Sequence, residues 1–93
     1  MKDNNTEKTL INLSNAVWES EKAYGFDFLI DFYNVERTEK VRIFLPKSMI
    51  KDSYIPTWLF RKKYQELQQI IDDRYPSYRY GGWIIWKDPF KTM

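Results

Sequence analysis

Two stretches in the middle of the chain alternate between apolar and polar positions with the period of a β-strand. In the first, the apolar phase consists of Tyr24, Phe26, Phe28, Ile30 and Phe32. Asp27 and Asp31 lie in the opposite phase, with Leu29 between them. Because successive side chains of a strand point to opposite faces, this pattern predicts a half-buried strand from Tyr24 to Tyr33.

The second stretch follows a polar loop over residues 34–40. Its apolar phase consists of Val41, Ile43 and Leu45, and its other phase holds Arg42 and Phe44. Pro46 ends the pattern because proline has no backbone N–H to donate to a ladder. The two stretches together predict an antiparallel hairpin with a long loop.

The period changes to that of a helix between Pro56 and about Arg74. One stripe of this helix consists of Phe60, Tyr64, Leu67, Ile70 and Ile71. We expect roughly five turns at 3.6 residues per turn. Pro56 suits the first turn, where its missing N–H costs no intrahelical bond, and Pro76 ends the run.

Two other segments allow more than one prediction. Between Thr9 and Glu21 the residues Leu10, Leu13 and Val17 have helical spacing, whereas Ile11 and Leu13 alternate as in a strand. From Tyr78 to Lys87, aromatic and β-branched residues surround Gly81 and Gly82. This segment is either one strand with a glycine bulge or a tight hairpin.

These elements predict an α+β fold in one domain over residues 1–93, with residues 1–8 as a flexible tail. We expect an antiparallel sheet of three to five strands, open or curled toward a small barrel, with one long helix packed across it. A chain of 93 residues has a thin core. No repeat or linker divides it.

The absence of histidine and cysteine narrows the function more than any motif does. Most zinc sites, general bases and activated nucleophiles use one of these two residue types. We therefore predict a non-enzymatic protein that binds no cofactor. Aromatic residues make up 18% of the chain, and Trp and Tyr suit contact surfaces because they combine a large apolar area with one polar group. The formal charge of +2 does not decide between protein and nucleic-acid partners.

Cations and aromatic residues alternate near the C-terminus, a mixture that single-strand nucleic-acid binders use. The predicted partner-binding residues are Arg61, Lys62, Lys63, Arg74, Tyr78, Arg79, Tyr80, Trp83, Trp86 and Lys87. Lys47 and Ser48, which follow the end of a predicted strand, are secondary candidates. The structural alternative is that the rings fill the core, that the three helix cations form a solvated face, and that Pro46 and Ser48 only turn the chain.

Three segments together resemble a group of small phage and prophage proteins. They are E-S-E-K-A at 19–23, F-L-P-K-S-M-I at 44–50 and I-P-T-W-L at 55–59. The group's pattern is E-T-E-K-A, W-L-P-K-S-Q-I and V-P-E-W-L-A, so this chain departs from it at Ser20, Phe44, Met49 and Thr57. The resemblance spans about Ile11 to Lys63. It implies a β-rich fold with Ile11 to Phe28 as strand, bent near Asn15, and it assigns no functional residue.

The resemblance also implies a phage or mobile-element origin, hence a place in the cytoplasm of a bacterial host. The apolar content from Met1 to Thr9 is too low for a signal peptide or membrane segment. Our leading hypothesis is an accessory protein that binds and inhibits a host nucleic-acid-processing or defence complex, in the manner of anti-CRISPR or anti-restriction proteins. The alternatives are a single-stranded nucleic-acid-binding protein and a virion assembly module, and an exposed edge or patch allows a homodimer.

Overall fold

The computed structural model describes residues 7–32, 38–75 and 84–91, with backbone alone at 84–87. Its elements are β1 (Lys8–Leu10), β2 (Trp18–Glu19), β3 (Ala23–Phe32), β4 (Thr38–Pro46), β5 (Tyr54–Pro56), α1 (Thr57–Arg74) and β6 (Ile84–Lys87). Two 3-10 turns, Leu13–Asn15 and Lys47–Met49, join some of them. Neither of these turns nor α1 has the length and apolar content that a membrane crossing requires.

The strand β3 is the spine of the main sheet. It pairs along its length with β4 in an antiparallel hairpin, with Phe26 opposite Ile43 and Phe28 opposite Val41. The predicted hairpin is confirmed, although β4 begins at Thr38 and the loop is shorter than expected. On the other edge of β3, β2 lies beside Gly25 and β6 lies beside residues 29–32. This sheet therefore has four strands but is three strands wide, and over the described ranges it does not close into the barrel that was one alternative.

A second sheet contains only β1 and β5, with Thr9 opposite Ile55. The backbone N–H of Thr57 donates to the carbonyl of Glu7 at 2.9 Å, so the ladder extends one residue beyond β1. Glu7 and Lys8, which we had expected to belong to the tail, are thus part of this sheet. It leads directly into α1, and Pro56 precedes the helix instead of lying within its first turn.

The core lies between one face of the main sheet and α1. The fully enclosed residues of β3 and β4 come from the predicted phases, and Leu59, Leu67 and Ile71 cover them from the helix. Phe60, Tyr64 and Ile70 pack at the border of the same cluster. The α+β prediction and the helix stripe are therefore confirmed.

Phe90 completes the core from the far end of the chain. Its ring is fully buried and lies in edge contact with Phe26 and Phe28, each at 5.0 Å between centroids. The carbonyl of Phe90 accepts from the Asn12 N–H at 3.0 Å, which joins the C-terminal segment to the segment after β1.

The segment from Thr9 to Glu21 is neither the helix nor the continuous bent strand that we considered. Ile11 is buried whereas Leu10 and Val17 are exposed. The residues with helical spacing therefore do not form a buried stripe. The Asn12 side chain accepts from the Ser14 N–H and begins the 3-10 turn between β1 and β2. A local side-chain bond has replaced a ladder bond here. A second turn, closed by the Ser20 N–H that donates to the Ala23 carbonyl at 2.9 Å, separates β2 from β3.

Candidate contact surface

Three side chains converge on the solvent-facing side of the main sheet, above Gly25. A Cβ atom added to Gly25 would lie 3.1 Å from Trp18 Cβ, 3.2 Å from Arg42 Cδ and 3.3 Å from Phe44 Cε1. These distances are at the tight end of van der Waals contact, so the missing side chain of Gly25 makes room for the cluster. We call Trp18, Gly25, Arg42 and Phe44 the aromatic patch.

The two rings of the aromatic patch meet edge to face. Their centroids are 5.3 Å apart and their planes cross at 82°. Trp18 keeps 40% and Phe44 43% of its surface exposed, although both rings touch other side chains. Edge-to-face packing stabilises a pair by about 0.5–1.5 kcal/mol, so the cluster has a preferred geometry before any partner arrives.

Arg42 is held beside the rings by Asp27, its cross-strand neighbour. The guanidinium donates from Nε to Asp27 Oδ1 at 2.8 Å and from Nη2 to Oδ2 at 3.2 Å. This bidentate hydrogen bond lowers the pKa of the Asp27 carboxyl below its usual value. Burial opposes it with a smaller effect, and the positive charges of Arg42 and Lys40 add to the lowering. The arrangement fixes the guanidinium plane at the edge of the aromatic patch.

Charges of both signs balance on the same face of the sheet. Asp27 and Asp31 from β3 lie in the same phase as Lys40 and Arg42 from β4. In the ladder Asp27 is opposite Arg42, whereas Asp31 is opposite Thr38 and Lys40 is opposite Leu29. Asp31 accepts a hydrogen bond from the Thr38 hydroxyl at 2.7 Å. With two carboxylates and two cations, the part of this face that β3 and β4 contribute has no excess of positive charge to attract phosphates.

The three predicted cations of α1 do not form one exposed cluster. Arg61 and Lys62 are exposed and make no salt bridge within the described ranges. Lys63, which we had expected to face solvent, is half-buried, and its Nζ lies 3.6 Å from a Glu66 oxygen. Arg74 is exposed in the last turn. At 1.5 Å per residue it is about 20 Å along the axis from Arg61, so the helix separates these candidates.

The C-terminal candidates lie mostly outside the described residues. These are Tyr78, Arg79, Tyr80 and Trp83, so their role stays a prediction, as does the bulge or hairpin at Gly81 and Gly82. Trp86 and Lys87 belong to β6, where the backbone register places them opposite Ile30 and Leu29. Ile84–Lys87 is a strand, which both alternatives for this segment contain.

Lys47 is engaged within the chain, whereas Ser48 is exposed. The ammonium group of Lys47 forms a salt bridge with Glu19 and lies 4.8 Å from the centroid of the Tyr24 ring. Ser48 lies beside a shallow groove of about 190 Å³, which Met49 and Tyr54 also line. Lys47 thus fastens β2 to the end of β4.

Among the described tyrosines, Tyr64 has the strongly shifted pKa, and its role is structural. The Tyr64 hydroxyl donates to Asp88, whose other carboxylate oxygen accepts from the Phe90 N–H at 2.9 Å. Burial, followed by this hydrogen bond, raises the pKa of Tyr64 well above its usual value. A phenol that holds its proton so firmly makes a poor general base at neutral pH. Its contact secures Phe90 in the core.

Sequence analysis did not predict the aromatic patch, although the position of one of its two rings could have indicated it. Phe44 falls in the solvent-facing phase of a strand whose other phase is buried, and a large ring in that phase is a candidate contact residue. Trp18 gave no such signal because β2 has two residues, too few for a period to appear.

No protein-family model, curated protein or solved structure matches this chain. The likeness to small phage proteins therefore stays a prediction.

Proposed function

We propose that this chain is a non-catalytic protein that binds a partner protein through the aromatic patch. The observation that supports this most is the exposed Trp18–Phe44 pair with a fixed arginine at its edge. Tryptophan and arginine dominate the binding energy of protein interfaces, especially where they are ordered before binding. The charge balance of the surrounding face suits a protein surface.

The structural role of the patch does not account for its exposure. Trp18 and Phe44 cover Gly25, and a ring beside a strand glycine stabilises a sheet. Smaller apolar side chains would cover one glycine as well. Retaining two large rings in water is instead a feature of contact sites.

The class of partner that we propose is a host nucleic-acid-processing or defence complex, with the chain acting as an inhibitor that occludes a surface. This step comes from the resemblance to phage proteins. DNA mimics are usually strongly acidic, and a chain with a formal charge of +2 does not suit that mode. Blocking one protein surface with another requires only the contact described above.

Direct binding of single-stranded nucleic acid is the second candidate. It needs cations free to reach phosphates beside rings free to stack on bases. On the main sheet, Arg42 is bound to Asp27, and the two rings stand at 82° to each other. Arg61 and Lys62 are free but lie on α1, which packs on the other face of the sheet. The described geometry therefore favours a protein partner.

The experiment compares a double substitution with a single control substitution in co-purification from a bacterial host lysate, with and without nuclease. Trp18→Ala with Phe44→Ala removes the patch, and Trp58→Ala removes a tryptophan of nearly equal exposure, 41%, from α1. We expect the same partner protein with the natural chain and with Trp58→Ala, nuclease or not, and its loss with the patch variant. Circular dichroism of all variants controls for folding.

Retention of the partner by the patch variant would contradict the proposal. Loss of the partner on nuclease treatment would also contradict it and favour the second candidate. In that case labelled oligonucleotides should bind at low salt, and their affinity should fall steeply as salt rises.

A further inference from the structure

Among the described residues, no strand pairs with the edge of β4 that faces away from β3. The Lys47 N–H donates to the Lys22 carbonyl at 2.8 Å, which fixes the alternation of hydrogen bonds along the β3–β4 ladder. It follows that the odd-numbered residues of β4 bond to β3, whereas Thr38, Lys40, Arg42 and Phe44 direct N–H and C=O away from it. Pro46, which has no N–H, falls in the same outward phase.

Within the described ranges these outward groups have no backbone partner, and the four residues that carry them are all exposed. The register along β3 runs without interruption from Thr38 to Pro46, so no bulge twists this edge away. Natural sheets usually shorten, bulge, cover or charge such an edge because it invites another strand, and β4 carries charge there at Lys40 and Arg42. A nine-residue open edge is long enough to hold one.

We infer that β4 pairs with β4 of a second copy of this chain, antiparallel and about a two-fold axis. In a two-fold interface the same surface of both copies is in contact. Each register therefore sets particular charged residues of β4 opposite other residues of β4. For the unpaired N–H and C=O groups to form hydrogen bonds, each outward residue of one copy must lie opposite an outward residue of the other. This condition leaves few registers. The one that sets Phe44 opposite itself forms fewer backbone hydrogen bonds, because Pro46 then faces Arg42 and has no N–H, and side-chain charge distinguishes the others.

One register places Arg42 opposite Phe44 of the second copy, with Ile43 opposite itself on the axis. Each Arg42–Phe44 pair then exchanges two backbone hydrogen bonds, and the Lys40 N–H donates to the carbonyl of Pro46. A shift by one step toward the N-terminus would set Arg42 against Arg42, and a second step would set Lys40 against Arg42. Like charges directly opposite are destabilising, whereas arginine over an aromatic ring is favourable.

The same register continues both faces of the sheet across the axis. The buried phase sets Val41 opposite Leu45 of the second copy, next to the enclosed core of each chain. The outer phase brings the two aromatic patches together on one side. The dimer therefore presents the proposed contact surface twice, although its formation does not depend on that surface having a partner.

Cysteine cross-linking tests the register directly, because the chain has no cysteine of its own. Arg42→Cys and Phe44→Cys chains carrying different tags are mixed and oxidised. We expect a disulfide-linked heterodimer in the mixture, since directly opposite residues have Cα atoms about 5.5 Å apart. A disulfide between two Arg42→Cys chains, together with no disulfide between an Arg42→Cys and a Phe44→Cys chain, would overturn this register.

Sedimentation of the unmodified chain over a wide range of concentrations tests the dimer itself. We expect a monomer–dimer equilibrium that Lys40→Pro shifts to monomer and Lys40→Ala preserves. Proline at 40 removes an outward N–H and no bond to β3, so the variant should fold, and circular dichroism checks this. A monomer at every concentration, or a dimer that Lys40→Pro leaves intact, would overturn the inference. Neither result bears on partner capture by Trp18 and Phe44.

Discussion

At the scale of single residues, the absence of a side chain at Gly25 allows the aromatic patch to form on the outer face of the sheet. Trp18 and Phe44 come from strands on opposite sides of β3 and could not meet above a larger residue. The sequence placed Phe44 correctly in the solvent-facing phase of β4. It could not place Trp18, because the position of β2 depends on hydrogen bonds to β3 that no local pattern encodes.

The Asp27–Arg42 contact predicts a pH dependence of stability. Because the folded-state pKa of Asp27 is lowered, its contribution is complete above the unfolded value near 3.9 and is lost as the pH falls through the folded pKa. In denaturation at neutral pH, Asp27→Asn should be less stable than the natural chain by up to about 1 kcal/mol. That difference should disappear in acid.

Arg42→Gln serves as the control for this prediction, because it removes the main cause of the shift while leaving the carboxyl. Its stability should depend on pH less than that of the natural chain between neutral and acid conditions. An Asp27→Asn variant with unchanged stability at neutral pH would show that the ion pair contributes nothing.

At the scale of elements, length decided what could be predicted. The strands β3 and β4 and the helix α1 are long enough for a period of two or 3.6 residues to appear, and all three lie where expected. The elements that were missed have two or three residues each. Their conformation depends on distant partners, such as the Ser53 carbonyl that accepts from the Ile11 N–H at 2.7 Å.

The turn before β5 is strained, and relieving it should stabilise the chain. Lys51 and Tyr54 exchange two backbone hydrogen bonds of 2.9 Å around Asp52 and Ser53, whose φ angles are 54° and 68°. Two positive φ angles in a two-residue hairpin favour Asn-Gly. Ser53→Gly should gain about 1 kcal/mol, the cost of left-handed backbone for a residue with a Cβ.

Thermal unfolding measures this gain. For a domain of this size we expect a rise in Tm of about 4–8 °C. Ser48→Gly, an exposed serine outside the turn, should show no rise. A Tm for Ser53→Gly at or below that of the natural chain would mean that the turn carries no strain.

At the scale of the whole molecule, the C-terminal segment closes the core. Phe90 lies within ring-contact distance of residues from both β3 and α1, and the carboxylate of Asp88 holds the segment to Tyr64 and to the Phe90 N–H. Sequence analysis did not identify Phe90. A lone ring after proline has no periodic neighbours, so nothing local distinguishes a buried one from an exposed one.

Phe90→Ala should therefore destabilise the chain by about 3–5 kcal/mol in denaturant unfolding, as expected for an enclosed phenylalanine. Phe44→Ala is the matched control, since it makes the same change at a half-exposed position and should cost about 1.5 kcal/mol or less. Equal losses of unfolding free energy for the two variants would contradict the conclusion that Phe90 closes the core.

Photo-cross-linking from the aromatic patch tests the proposed function most directly. A benzophenone amino acid replaces Phe44 in one chain and Trp58 in another, and each is irradiated in host cells. Apart from the link between two copies that the β4 pairing would give, we predict one discrete adduct with a host protein from position 44, resistant to nuclease, and none from position 58. No host-protein adduct from position 44, or one that nuclease removes, would contradict a protein-binding role for the patch.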